Sequence, residues 1–398
     1  MRVIHINAVY GVLSTGRTVM QLDEELARFG VDSSTACSLG VLSENTFRIG
    51  SKADVKLHAA LSRITGKSGY HSRGATKKLI AYLKREKPDI VHLHNLHGNY
   101  ADLPALFAFL AEEKIPVAVT LHDCWWYTGK CCHYTADGCM KWQMSCGHCP
   151  RLKKDIPSFV FDRTEEMLRD KRNWFASLSR YAVIGVSDWI TEEAKKSILK
   201  DADVITRIYN WVDTDVFRDT QSDIRARYGL EGKKLMLGVA GKWLETKGLS
   251  AFARLAESLA EDERLVLIGE LPAGFSCGRI LSIPRTDDQQ ELARWYSAAD
   301  VFISLSGEES FGKVSAEALS CGTPILVLDS TASPELVAPG CGEVMEDARP
   351  GTVLAAARRV FASGKDGAAC RVFALKNFSM ETNVKSTFEV YKKLLNEE

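Results

Sequence analysis

Two short apolar runs, residues 301–306 and 325–329, are each about the length of a buried strand, and the segment between them leaves little choice of fold. Residues 313–320 read as a short helix closed by Gly322, and Pro324 forbids its continuation. Strand, helix, strand in that order is a β-α-β unit, so the two strands should run parallel and be buried. The loop carrying Glu309 then lies at the carboxyl end of a strand, where open α/β sheets bind ligands.

The chemistry of that loop follows from its position. The backbone amides of Phe311, Gly312 and Lys313 open the helix, have no partner within it and suit a phosphate. Gly312 lets an anion come close to the main chain. Glu309 lies before the helix and Glu317 about one turn inside it. Carboxylates beside a phosphate cradle repel phosphate, so their use is as acceptors for neutral hydroxyls. A diphosphate between two polyols, which is a nucleotide sugar, fits the pattern. The plainer alternative makes Glu309 a helix cap and Glu317 a solvated side chain.

Glu309 and Glu317 with Phe311 and Gly312 between them, followed by Ala318 and by Cys321, Gly322, Thr323 and Pro324, resemble the donor-site signature of the family 4 retaining glycosyltransferases. The resemblance implies an α/β chain of the GT-B fold, with two Rossmann-like domains facing a cleft and a C-terminal helix crossing back to the N-terminal domain. The implied domains are 1–205 on the acceptor side, 206–380 for the nucleotide sugar, and a returning helix at 381–398. It also implies that Glu309 contacts the donor sugar and Glu317 the ribose. Lys242 and Lys247 match the two cations of the family's diphosphate loop, although Lys242 is a point charge where a forked Arg is common. Pro284 lies where the family's main chain meets the base, and His122 matches a histidine that reaches the donor sugar. The catalytic set is then His122, Glu309 and Lys247. Donor contacts come from Gly16, Lys242, Lys247, Pro284, Phe311, Gly312, Lys313 and Glu317.

The amino-terminal half opens directly on a strand, residues 3–10, with no secretory signal ahead of it. A loop from Gly11 to Thr18 and a helix to about Phe29, ended by Gly30, come next. That loop is one residue from a P-loop, with Arg17 in the lysine position. A guanidinium does not replace the compact lysine charge between phosphates, so the NTPase reading is the weaker one. The resembled family has a glycine-bearing loop here, which gives Ser14, Thr15 and Arg17 to the acceptor side. Strands at 89–95 and 117–123 end in His94, Asn95 and His97 and in His122; the first three are assigned to the acceptor, and the histidine spacing also suits a metal. The run at 181–187 reads as the last strand of this domain.

Residues 124–150 hold Cys124, Cys131, Cys132, Cys139, Cys146 and Cys149 with little helix or strand pattern. So long an irregular loop needs a reason. Cys146-x2-Cys149 has the spacing of a metal knuckle, and Cys131 with Cys139 completes four thiolates for a closed structural zinc site, with no cofactor for catalysis. Buried free thiols are the alternative. Eleven cysteines without an export signal favour reduced thiols or metal over a disulfide framework.

Net charge is zero but unevenly spread: residues 48–87 carry eleven Lys or Arg against Asp54 and Glu86. A helix at 75–87 alternates Leu79, Ile80 and Leu83 with Lys77, Lys78, Lys84 and Arg85. A cationic amphipathic face fits anionic phospholipid, or the phosphates of a lipid carrier, better than nucleic acid, since it lacks interleaved aromatics. No apolar run is long enough to span a membrane. The sequence reading is therefore a retaining hexosyltransferase using a UDP- or GDP-sugar, cytoplasmic, at the inner face of the cytoplasmic membrane. Its acceptor is a saccharide, polyprenyl-linked, of bacterial surface polysaccharide synthesis. A nucleotide-sugar epimerase of the same fold and a non-catalytic scaffold are the rival readings.

Overall fold

The computed structural model describes residues 1–397. Its strands form two parallel sheets. β1 (Arg2–Tyr10), β2 (Asp32–Gly40), β3 (Thr46–Arg48), β4 (Ile90–Leu93), β5 (Val117–Leu121), β6 (Tyr181–Gly185) and β7 (Val204–Arg207) order as β3-β2-β1-β4-β5-β6-β7. β8 (Lys234–Lys242), β9 (Glu263–Glu270), β10 (Ile280–Ile283), β11 (Val301–Ser304), β12 (Ile325–Leu328) and β13 (Gly342–Met345) order as β10-β9-β8-β11-β12-β13. Both are doubly wound, and strand order reverses between β1 and β4 and between β8 and β11. Ligands bind outside the carboxyl ends of strands at such a reversal.

The chain divides into two compact units, one of Met1–Ile208 with Asn383–Glu398 and the other of Tyr209–Thr382. β4, β5 and β6 are buried at every residue, which is why they read as continuous apolar runs. β7 corrects the sequence reading, which ended this sheet at residues 181–187. It pairs with β6 as an edge strand, and its residues Val204 to Thr206 are only half-buried, so they carry no long apolar run. β2 begins with Asp32, Ser33 and Ser34 and gave no strand signal either.

The last helix, Met380–Leu395, packs on the first unit. Tyr391 Oη meets His92 Nδ1 at 2.6 Å, Phe388 stacks on Phe29, and Arg180 donates to the Lys393 carbonyl. In the second unit β11, the helix Lys313–Ser320 and β12 form the expected parallel β-α-β unit. Gly312 caps that helix at φ +92°, and a β-carbon there would come 3.1 Å from Leu336 Cδ1, so both conformation and space call for glycine.

Candidate functional site

In the second unit, the carboxyl ends of β8 and β11 border a cavity of about 230 Å³ lined by Lys242, Trp243, Lys247, Ser306, Glu309 and Lys313 among others. This is the strand-order reversal. Lys242 ends β8, Lys247 lies in the 3-10 turn Glu245–Lys247, and Lys313 opens the helix Lys313–Ser320. Thr331 accepts from the Glu309 amide at 2.9 Å, and Ser330 donates to the Gly307 carbonyl, so the loop is clamped from the segment after β12. Lys247 and Glu309, read from sequence as contacts to separate parts of a ligand, pair with each other at 2.5 Å.

The other donor-side residues are placed differently. Phe311 is buried against Tyr209 and Phe378, so its ring is an anchor and only its amide is left for a ligand. Glu317 is buried, and the Tyr296 hydroxyl donates to it at 3.1 Å; sequence gave no sign of Tyr296. Pro284 is exposed just beyond β10, an edge strand. Gly16 lies in the first unit, inside the helix Leu13–Leu26, where a β-carbon would come 3.0 Å from Val9 Cγ2. That helix begins at Leu13, which places Gly16 and Arg17 within it rather than at its start, so residues 11–18 do not form a P-loop. Ser14 and Thr15 lie in its first turn.

The first unit's site is a chain of imidazoles. His5 and His92 are register partners on β1 and β4, and His94 and His122 follow β4 and β5. His94 Nε2 contacts His5 Nδ1 at 3.1 Å, and His94 Nδ1 contacts His122 Nε2 at 3.1 Å. His5 Nε2 lies 3.3 Å from Asp23 Oδ1, in ion-pair range though off line for a hydrogen bond. Burial pushes His5 down and His92 and His94 well down from the ordinary imidazole range, which keeps them neutral. Each N···N contact then needs one proton. A neutral ring donates from one nitrogen and accepts at the other, so the tautomer of one ring sets that of the next along His5, His94 and His122.

His94 was expected to meet an acceptor; instead it is buried with both ring nitrogens engaged, so it orients His122. Asn95 donates its amide to Asn7 Oδ1, and His97 pairs with Asp123 at 2.9 Å. Burial alone would raise the Asp123 carboxyl, but His97 and the Trp125 amide hold it below the usual range. His5 and Asp23, which complete the chain, were missed from sequence.

Residues 124–150 contain 3-10 turns but order themselves through aromatics: Trp125, Trp126, Tyr127 and Trp142 are fully buried. Cys131, Cys139, Cys146 and Cys149 line one small cavity, while Cys132 lies with His97 and Asp123. On the helix Arg73–Glu86, Lys77, Lys78, Lys84 and Arg85 are exposed, although Lys84 pairs with Glu113 and Arg85 with Glu86. Among the described residues no helix is long and apolar enough to cross a membrane.

Comparison with known proteins adds the following. Residues 15–216 match the model of Glycosyltransferase Family 4, and residues 234–363 that of Glycosyl transferases group 1. A putative colanic acid biosynthesis glycosyl transferase, WcaC of Escherichia coli K12, is 23% identical over 269 residues, 65% of this chain and 64% of its own length. Sucrose-phosphate synthase from Thermosynechococcus elongatus superposes with a TM-score of 0.70 at 17% identity, covering 99% of each chain. Anabaena HepE in complex with UDP and glucose superposes at 0.67 and 13% identity, covering 99% of this chain and 100% of its own. The two structural likenesses establish the fold.

Proposed function

The chain belongs to glycosyltransferase family 4, and on that premise we propose that it moves a hexose from a nucleoside diphosphate sugar to a saccharide acceptor with retention at the anomeric carbon. One observation carries this reading: Lys242, Lys247 and Lys313 converge with Glu309 on one cavity at the strand-order reversal. Three lysines and one carboxylate line the cavity, with Glu270 3.8 Å from the Lys242 ammonium at its rim, and a lining richer in cations than in anions suits a sugar-linked diphosphate. HepE, of the same fold, takes UDP and glucose.

Lys242, Lys247 and the amides of Gly312 and Lys313 stabilise the leaving diphosphate, whose charge grows as the glycosidic bond breaks. Glu309 accepts from sugar hydroxyls once the diphosphate draws Lys247 away. Glu317, with Tyr296 on one oxygen, accepts from the ribose. His122 is the residue assigned to a hydroxyl of the donor sugar. The departing diphosphate takes the acceptor's proton on the face it leaves, and no metal enters the step.

The acceptor we assign is a polyprenyl-diphosphate-linked oligosaccharide of bacterial surface polysaccharide synthesis, in keeping with the likeness to WcaC, with the enzyme at the inner face of the cytoplasmic membrane. Support comes from the cationic residues 48–87 and from exposed Leu57, Ile64, Phe159, Val160 and Phe161. The Phe159 amide donates to the Arg63 carbonyl, which sets these aromatics beside the helix Lys52–Thr65. A surface of cations and exposed apolar side chains suits anionic lipid.

A thermal-shift screen with UDP-, GDP-, ADP- and dTDP-sugars tests the donor, since binding to the folded state raises apparent stability. Product analysis then separates transfer from epimerisation: a glycosylated acceptor supports the reading, and an altered free nucleotide sugar without acceptor contradicts it. Retention is read from the anomeric configuration of the product.

A further inference from the structure

We propose that Cys131, Cys139, Cys146 and Cys149 form a closed, structural zinc-tetrathiolate site that holds the segment between β5 and the helix Thr164–Ser177. All four line one cavity of about 20 Å³, on the scale of a single small ion rather than an organic ligand. The Cys131 and Cys149 thiols face each other, and Cys146 lies within electrostatic reach of Cys139 and Cys149.

The surroundings are those a thiolate cluster needs. The Gly129 amide is close to Cys146 and the Arg151 amide, two residues beyond the knuckle, is close to Cys149. Backbone amides so placed can orient metal ligands. Gly147 and His148 both take left-handed backbone (φ +117° and +46°), which folds the knuckle back on itself. Lys141 donates to the carbonyls of Gly147 and His148, and Asp162 accepts from the Cys149 amide at 2.7 Å. The turn is therefore braced whichever way the thiols point.

Two buried lysines lie beside the cysteines. Lys130 and Lys171 are buried, and their ammonium groups donate to backbone carbonyls, Lys130 to those of Arg151 and Leu152 and Lys171 to those of Trp125 and Thr128. Neither has an ion pair among the described residues. Lys130 lies within electrostatic reach of Cys149 and Cys131 and also of Asp155 and Asp162, and Lys171 of Cys146, Asp123, Cys132 and Cys131. Burial disfavours both ammonium charges, and negative charge nearby offsets that cost. Zinc bound by four thiolates carries two negative charges, which would add to those facing the two lysines. Four thiol protons leave to solvent as the metal binds.

Two rival groups, His5 with His92 and His94 and His97 with Asp123 and Cys132, have ligand atoms within 4.8 Å of one another, closer than the four thiols are gathered; the first is engaged in the imidazole contacts described above. His97 and Asp123 already satisfy each other at 2.9 Å, and the knuckle hydrogen bonds lie elsewhere. Four thiolates suit zinc better than the mixed trio does.

Protein purified without a metal-affinity step, assayed for zinc and for thiols open to a mercurial reagent, decides the matter. About one zinc per chain, released as four thiols react, is expected. Cys149→Ser should lose the metal and Cys132→Ser should keep it. Should Cys149→Ser not fold, the wild-type titration still reads out the site. Less than a tenth of a zinc per chain, another metal at full occupancy, or loss of zinc in Cys132→Ser would overturn the proposal.

Discussion

The two candidate sites are held by opposite means. In the second unit Lys247 and Glu309 are 37% and 17% exposed and pair with each other; such a solvated pair holds by about 1 kcal/mol or less, so a ligand can exchange it. In the first unit His5, His92 and His94 are almost wholly buried, held neutral, and ordered by contacts with one another, Thr120 and Tyr391. Breaking one of those contacts strands a buried polar atom, so exchange is costly. The charged pocket is built to change partners, and the imidazole chain to keep them.

The largest effect should come from the exchangeable side. Lys247→Ala should lower turnover by roughly 10²–10³-fold, the scale of losing one preorganised charge stabiliser, while leaving folding stability within about 0.5 kcal/mol. Steady-state rates and denaturant melts measured on one preparation would show the split. Glu309→Ala should cripple transfer to a similar degree yet still bind free nucleoside diphosphate.

His94→Phe should behave in the opposite way. It leaves His5 Nδ1 and His122 Nε2 without this partner, at about 1–3 kcal/mol for buried His5 and less for half-buried His122, and denaturant unfolding should show the loss whether or not donor is present. A stability equal to wild type would dismiss the imidazole chain as incidental.

Between pH 6.5 and pH 5 acid should act chiefly on the first unit, before the depressed carboxyls of Glu263, Glu291 and Asp347 in the second begin to titrate. All nine histidines precede Tyr209. Folding depresses His5, His92 and His94, and His58 to about 4, from an ordinary value of 6.5. Below pH 6.5 the unfolded chain binds protons that the folded chain refuses. Stability is therefore complete above that pH and declines as pH falls toward the folded values, by up to about 1.4 kcal/mol per pH unit for each such group. Hydrogen exchange at pH 5 should show the first unit opening and the second little changed.

The smallest effect is expected from Tyr296→Phe, which removes one hydrogen bond to Glu317. A loss of about 1 kcal/mol in nucleotide affinity, read by titration, would fit a positioning role.

Sequence served the two regions unequally, for a physical reason. The helix Lys313–Ser320 and its glycine cap were readable because strand, turn and helix chemistry are contiguous there. The Lys247–Glu309 pair was not, since it spans 62 positions and forms only when β8 and β11 become neighbours. His5 on β1 has no chemical partner nearby in the chain; parallel register with β4 sets it beside His92 and His94. Polar β2 and half-buried β7 were missed because strand recognition rests on apolar runs. For the cysteine loop, spacing named four thiols, but the aromatic core that orders the segment and the buried lysines beside it appear only in three dimensions.

The central claim is that the charged cavity of the second unit holds the donor's diphosphate by displacing Glu309 from Lys247. Calorimetric titration of wild type, Lys247→Ala and Glu309→Gln with the nucleoside diphosphate chosen by the thermal-shift screen tests it directly. Lys247→Ala should weaken binding at least tenfold, a loss of about 1.4 kcal/mol, and Glu309→Gln, with the internal competitor neutralised, should bind as tightly as wild type or more so. Equal affinity in Lys247→Ala, or weaker binding in Glu309→Gln than in Lys247→Ala, would contradict the account.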